Sequence, residues 1–122
     1  MGLDTYSSRR DLNWIGIDLR HGFVHEANGA ASFRGKVYSD FIEAVTNESL
    51  YQETIPNATV KDIAKKLILY VQVNDAKSSK KWCKEQIIDR IPTWDEVKSL
   101  TKWFKVVANG GAEVNGRWYT YI

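Results

Sequence analysis

Ala112-Glu113-Val114-Asn115-Gly116-Arg117-Trp118-Tyr119-Thr120-Tyr121-Ile122 is the stretch on which the fold class turns. It is dense in aromatic and β-branched residues, which suit a pleated, half-buried surface. Alternation places Trp118, Thr120 and Ile122 on one face and Arg117, Tyr119 and Tyr121 on the other. Asn115-Gly116, with Val114 before it, has the form of a hairpin turn. The expected partner of this strand comes from the N-terminal third, so that pairing brings the two ends of the chain together. Two segments there carry the pattern. Leu3 to Ser8 alternates softly, with Leu3, Thr5 and Ser7 against Asp4, Tyr6 and Ser8. Asn13 to Leu19 alternates better: after Trp14, Ile15, Ile17 and Leu19 take one face and Gly16 and Asp18 the other, which predicts a second strand.

Between these ends the period is helical. Lys36 to Thr46 sets Val37, Phe41, Ile42 and Val45 against Asp40 and Glu43. Asn57-Ala58-Thr59 opens the clearest helix, with Thr59 as cap and Asp62 three residues on. Val60, Ile63, Ala64, Leu67, Ile68 and Val71 form its stripe, and it ends near Asn74 or Asp75. Lys77, Lys80, Lys81 and Lys84 recur at one-turn spacing on a further helix. Cys83, Ile87 and Ile91 are its expected buried side, and Pro92 breaks it. Thr93-Trp94-Asp95-Glu96 matches a capping box and opens a helix to about Ala108, closed by Asn109-Gly110-Gly111. Trp94, Val97, Leu100, Phe104 and Val107 face inward on it. The prediction is an α+β fold in one domain, residues 1–122, with about four helices on a small, mostly antiparallel sheet made from the N- and C-terminal segments.

The chain has 122 residues, 43% of them hydrophobic and 26% charged, a balance ordinary for one soluble domain. No apolar run approaches the roughly 20 residues that span a bilayer, so no membrane partner is expected. No charged-then-apolar leader opens the sequence, and the lone Cys83 has no internal disulfide partner, so a cytoplasmic setting is expected. Asn47-Glu48-Ser49 and Asn57-Ala58-Thr59 match the glycosylation pattern, which has no meaning in a cytosol. Net charge is +2, unevenly placed. Residues 1–60 hold 5 basic and 8 acidic side chains, a balance of −3; residues 61–122 hold 12 and 7, a balance of +5. That asymmetry allows a basic face in the second half and permits head-to-tail self-association.

Gly29-Ala30-Ala31-Ser32-Phe33-Arg34-Gly35-Lys36-Val37-Tyr38 is the main candidate for chemistry. It reads as a glycine-bearing loop running into a helix. Unpaired N–H groups and the partial positive charge of a helix start suit a phosphate or carboxylate. Arg34 and Lys36 add cations, and Gly35 allows close backbone approach. Tyr38, Tyr51 and Trp118 supply rings for stacking, and Tyr51-Gln52-Glu53 offers groups to complete a pocket. The loop matches neither a phosphate-binding G-x-x-x-x-G-K-[ST] nor a dinucleotide-binding G-x-G-x-x-G pattern. The plainer alternative is a packed turn.

Met1-Gly2-Leu3-Asp4-Thr5-Tyr6-Ser7-Ser8, Ser32-Phe33-Arg34-Gly35-Lys36-Val37-Tyr38, and Ser49-Leu50-Tyr51-Gln52-Glu53 before Ile55-Pro56 together carry a resemblance. The chain resembles a family of small, uncharacterised bacterial and phage proteins. The resemblance spans most of the chain, with its specific words in the first half; Lys77 to Lys84 follows no pattern of the family. It implies a stand-alone small protein and carries over no activity, cofactor or site.

His21 and His25 lie four apart beside Glu26, yet Gly22 and Gly29 argue against a helix and no third ligand is near, so no metal site is expected. Cys83 has a lysine field around it but falls on an apolar side, and no nucleophile elbow occurs. No catalytic residues are assigned, no cofactor is called, and catalysis is not the expected activity. The leading expectation is a non-enzymatic binding protein for a small anionic, nucleotide-like or phosphorylated ligand, held by Arg34, Gly35, Lys36, Tyr38, Tyr51 and Trp118. The alternative is a protein- or nucleic-acid-interaction domain using Lys77, Lys80, Lys81, Trp82 and Lys84, in the manner of a phage or host-interaction factor. A homo-oligomer with exposed aromatics as subunit contacts is compatible with either.

Overall fold

The computed structural model describes residues 2–7, 12–14, 16, 17, 19, 24, 25 and 31–119. Its elements run β1 (Gly2–Ser7), β2 (Val24–His25), β3 (Ala31–Arg34), α1 (Gly35–Thr46), β4 (Thr54–Ile55), α2 (Asn57–Val73), α3 (Ala76–Glu85), α4 (Trp94–Asn109) and β5 (Val114–Tyr119). The strands form one antiparallel sheet in the order β2-β3-β1-β5-β4. This is the α+β arrangement expected, four helices with a sheet drawn mainly from the two ends of the chain.

β1 is the central strand, pairing with β3 on one side and β5 on the other, so that Thr5 lies opposite both Phe33 and Gly116. Period-two alternation then sorts the sheet. Leu3, Thr5, Ser7, Ala31, Phe33, Ile55 and Val114 are buried. On the other face Asp4 sits opposite Arg34 and Arg117, a charge row that suits solvent.

The core is aromatic. Trp103 of α4 meets Phe33 edge to face at 4.8 Å, Phe104 at 5.0 Å and Trp14 at 5.7 Å. Such pairs add about 0.5–1.5 kcal/mol each beyond area burial. The start of α2 is tied to the end of α4, because the Asn57 side-chain amide donates to the carbonyls of Ala112 at 2.9 Å and Ala108 at 3.3 Å.

Five local expectations are corrected. Asn115-Gly116 is no turn but lies inside β5, paired with Tyr6 and Thr5. A side chain at Gly116 would strike the backbone carbonyls of Gln52 and Leu50, so glycine there admits the 50–53 connector against the strand. The described residues between Asn13 and Leu19 are not strand: Ile17 N–H donates to the Trp14 carbonyl at 3.3 Å across Gly16, whose φ is 82°. Trp14, Ile17 and Leu19 are nevertheless core residues. α2 opens at Asn57 behind Pro56, two residues before the expected cap Thr59, since proline presets the entry angle. α3 stops at Glu85, not at Pro92, so Ile87 is exposed instead of buried and Ile88 takes the inner place. The glycine-bearing loop, finally, is β3 from Ala31 to Arg34 and passes directly into α1 at Gly35; Gly29 and Ala30 lie outside the described residues.

Candidate functional site

The β3–α1 junction separates the residues the sequence grouped together. Arg34 is the last residue of β3, exposed, on the outer sheet face opposite Asp4. Gly35 is buried: a Cβ there would collide with the Thr5 hydroxyl and the Leu3 side chain, so the glycine lets α1 press onto β1. Tyr38 is fully buried. Its ring packs edge-on to Phe33 at 5.8 Å, and its hydroxyl donates to Glu96 Oε2. A ring so enclosed cannot stack on a ligand, which corrects that role for Tyr38; the next inward position of α1 needed a large side chain, and tyrosine filled it while keeping its hydroxyl paired.

What remains together is a cleft of about 350 Å³ between the first turns of α1, the connector before β4 and the segment joining α3 to α4. Lys36, Ser39 and Asp40 line it from α1, Tyr51 from the connector, and Asp89 and Arg90 from the α3–α4 segment. Each arrives for a local reason. The first turn of α1 carries no acidic residue, and Arg34 makes no side-chain cap, so α1 presents its positive end uncompensated by its own sequence. Tyr51 is set by a turn in which its N–H donates to Ser49 Oγ at 3.0 Å, while Gln52 Nε2 donates to the Ser49 carbonyl at 2.7 Å. Trp118, 40% exposed, lies against Tyr51 with ring centroids 6.4 Å apart.

A second recess of about 300 Å³ shares Val37 and Arg90 with the first and extends to Tyr38, Ile91, Pro92 and Glu96. Glu96 is buried and doubly employed. Its Oε1 accepts from Thr93 N–H at 3.1 Å while Glu96 N–H donates to Thr93 Oγ1 at 3.2 Å, the reciprocal box that starts α4. Its Oε2 accepts from Tyr38. The wall between α1 and α4 is thereby held by hydrogen bonds to a carboxylate, which are stronger than neutral ones.

Lys36 and Tyr51 thus line the same cleft, with Trp118 beside Tyr51. Arg90 and Asp89 were missed, because the sequence read them as part of an unbroken helix. The alternative set lies elsewhere. Lys77, Lys80, Lys81 and Lys84 are exposed on α3, while Trp82 is half-buried against Tyr70 with centroids 5.3 Å apart. Cys83 is buried. The Tyr70 hydroxyl pairs with Ser79 Oγ at 2.6 Å and lies 4.0 Å from the sulfur. Burial pushes the Cys83 thiol up and the Tyr70 phenol to about 12, so both stay protonated at neutral pH and the thiol is a poor nucleophile. Among the described residues no group of three or more metal-ligating side chains forms; His21 and Glu26 lie outside them, and of His25 only its place in β2 is described. No described helix is long and apolar enough to cross a membrane. No protein-family model, curated protein or solved structure matches the chain.

Proposed function

We propose that this chain is a small non-enzymatic binding protein for an anionic, nucleotide-like or phosphorylated ligand, taken up in the cleft between α1 and the α3–α4 segment. The observation that carries the reading is the convergence of Lys36, Arg90 and Tyr51 on one recess of about 350 Å³ beside the positive end of α1. Lys36 offers a point charge and Arg90 a planar fork for phosphate oxygens. Tyr51 and Trp118 offer ring faces. Asp40 and Asp89, in the same lining, accept from hydroxyl or amine groups. The ligand set is therefore Lys36, Tyr51, Arg90 and Trp118, with Arg34 outside it. Titration calorimetry with nucleotides and phosphorylated metabolites tests it. Lys36→Ala with Arg90→Ala is expected to weaken binding by about 100-fold or more, since hydrogen bonds to charged groups contribute roughly 1.5–3 kcal/mol each. Arg34→Ala should leave affinity unchanged; undiminished binding by the double variant would sink the assignment.

A second reading keeps the α3 lysines as a surface for a protein or nucleic acid. It is favoured by Lys77, Lys80, Lys81 and Lys84 standing exposed without an ion pair among the described residues. Affinity there falls steeply with salt. The cytoplasm is the proposed setting for both, and a phage or host-interaction role follows from the resemblance alone.

A further inference from the structure

Ile87 is the most exposed large apolar side chain among the described residues, at 90%. It also holds a φ of 57°, in the left-handed region, which a β-branched residue strongly resists and which glycine or asparagine ordinarily occupies. Its own fold gains nothing from the side chain. Ile87 borders a hollow of about 420 Å³ whose other lining includes Asp40, Glu43, Gln86 and Ile88. That lining holds two carboxylates and no cation. The result is an apolar projection with acidic surroundings.

The reverse arrangement lies between α2 and α4. A groove of about 320 Å³ has Ala64, Ile68 and Leu69 in its lining, and Lys61, Lys65 and Lys105 around them. Leu69 is 51% exposed. None of the three lysines makes an ion pair among the described residues, and the lining holds no carboxylate. The two patches share no residue, and each carries the charge and shape that the other lacks.

We infer that the occupant of the α2–α4 groove is the Ile87 projection of a second copy of this chain. The contact is heterologous, one face of a protomer against a different face of the next, so it builds a closed ring or an open chain rather than a two-fold dimer. Ile87 is the apolar anchor, desolvated on the groove floor, with Asp40 and Glu43 brought toward Lys61, Lys65 and Lys105. The contact shares Asp40 with the ligand cleft but rests on Ile87 and the α2–α4 groove, which lie outside it.

Sedimentation velocity on the full chain, from micromolar to millimolar concentration, reads it directly. The expected result is a mass that grows with concentration and falls as salt is added. Two variants separate the partners of the contact. Ile87→Gly removes the projection while relieving the backbone, so it should weaken self-association roughly thirtyfold or more and raise the melting temperature of the dilute protein. Lys61→Glu with Lys65→Glu should weaken it comparably from the groove side without unfolding the chain, since both lysines are exposed. Mixed together, the two variants should form a one-to-one dimer that grows no further, because each brings the face the other has lost. A wild-type chain that stays monomeric over the range overturns the inference. So does self-association that neither variant weakens, or a mixture that yields no dimer.

Discussion

Helices α3 and α4 end on the same backbone turn built from different residues. At the end of α4, Gly111 N–H donates to the Ala108 carbonyl at 3.1 Å and Ala112 N–H to the Val107 carbonyl at 3.2 Å, with Gly111 at φ 69°. At the end of α3, Ile87 N–H donates to the Lys84 carbonyl and Ile88 N–H to the Cys83 carbonyl, both at 3.1 Å, with Ile87 at φ 57°. Both are Schellman motifs. Both helices also open on a reciprocal capping box, Asp75 with Ser78 and Thr93 with Glu96. Their middles differ. α4 buries Val97, Leu100, Trp103, Phe104 and Val107, whereas α3 buries only Ser79 and Cys83. The difference teaches that end signals are local and can be assembled on any helix, while the face between them records what the helix is packed against. It also marks Ile87 as a residue whose side chain the end of α3 tolerates rather than needs.

The largest effect tests the middles. Trp103→Ala should destabilise the fold by about 3–5 kcal/mol in urea unfolding, as truncation of a buried aromatic does. Trp82→Ala on α3, half-buried against Tyr70, should cost clearly less. Equal losses would mean that α3 is as deeply integrated as α4. A smaller effect tests the C-terminal turns. Gly111→Ile should destabilise by about 1 kcal/mol and Ile87→Gly should stabilise by about the same, because left-handed geometry disfavours a Cβ by roughly 1–2 kcal/mol and glycine returns part of that as freedom in the unfolded chain. A loss of stability in Ile87→Gly at low protein concentration would show that Ile87 packs within its own fold.

The smallest effect tests the N-terminal caps. The Asp75 carboxyl is held below its ordinary 3.8 by the Ser78 N–H and then the Ser78 hydroxyl. A depressed folded-state value means that the unfolded chain binds the proton first. The stabilisation is therefore complete above the ordinary carboxylate range and is lost as pH falls through the depressed value. Wild type and Asp75→Asn should differ in amide-exchange protection of α3 at neutral pH and converge in strong acid. A difference that persists unchanged in acid would remove the carboxylate charge from the account.

The same division between local and non-local explains what could be read in advance. Thr93 with Glu96 announced α4 correctly, and Asn109-Gly110-Gly111 announced its end, because capping needs only neighbours. β1 was legible from alternation, and Leu3, Thr5 and Ser7 do face inward; of the C-terminal strand only Arg117 to Tyr119 was read as strand, and Thr120, Tyr121 and Ile122 lie outside the described residues. Asn115-Gly116 misled because its glycine answers to the carbonyls of Leu50 and Gln52, more than sixty positions away. β3 has only four residues, too few for alternation to outweigh the glycines around it. The end of α3 was hidden because nothing local flags a β-branched residue in a left-handed turn. In the candidate site, Lys36 and Tyr51, grouped in advance by residue type, line one cleft, with Trp118 beside Tyr51. Tyr38 was misassigned because an aromatic next to a cation looks the same whether it faces a ligand or Phe33. Arg90 and Asp89 became visible only when the helix before them stopped at Glu85.

The central place of β1 has a consequence for biosynthesis. Gly2 pairs with Tyr119 and Tyr6 with Asn115, so the two middle strands of the sheet leave the ribosome at opposite times. At about 5–20 residues per second, roughly 5–20 s separate the emergence of β1 from that of β5. Through that interval β1 has β3 on one edge and nothing on the other, and the helices made in between have only part of a sheet to dock on. The aromatic layer around Trp103 cannot gather until α4 is made, and the sheet beneath it closes only when β5 follows, so β1 keeps an open edge through most of synthesis.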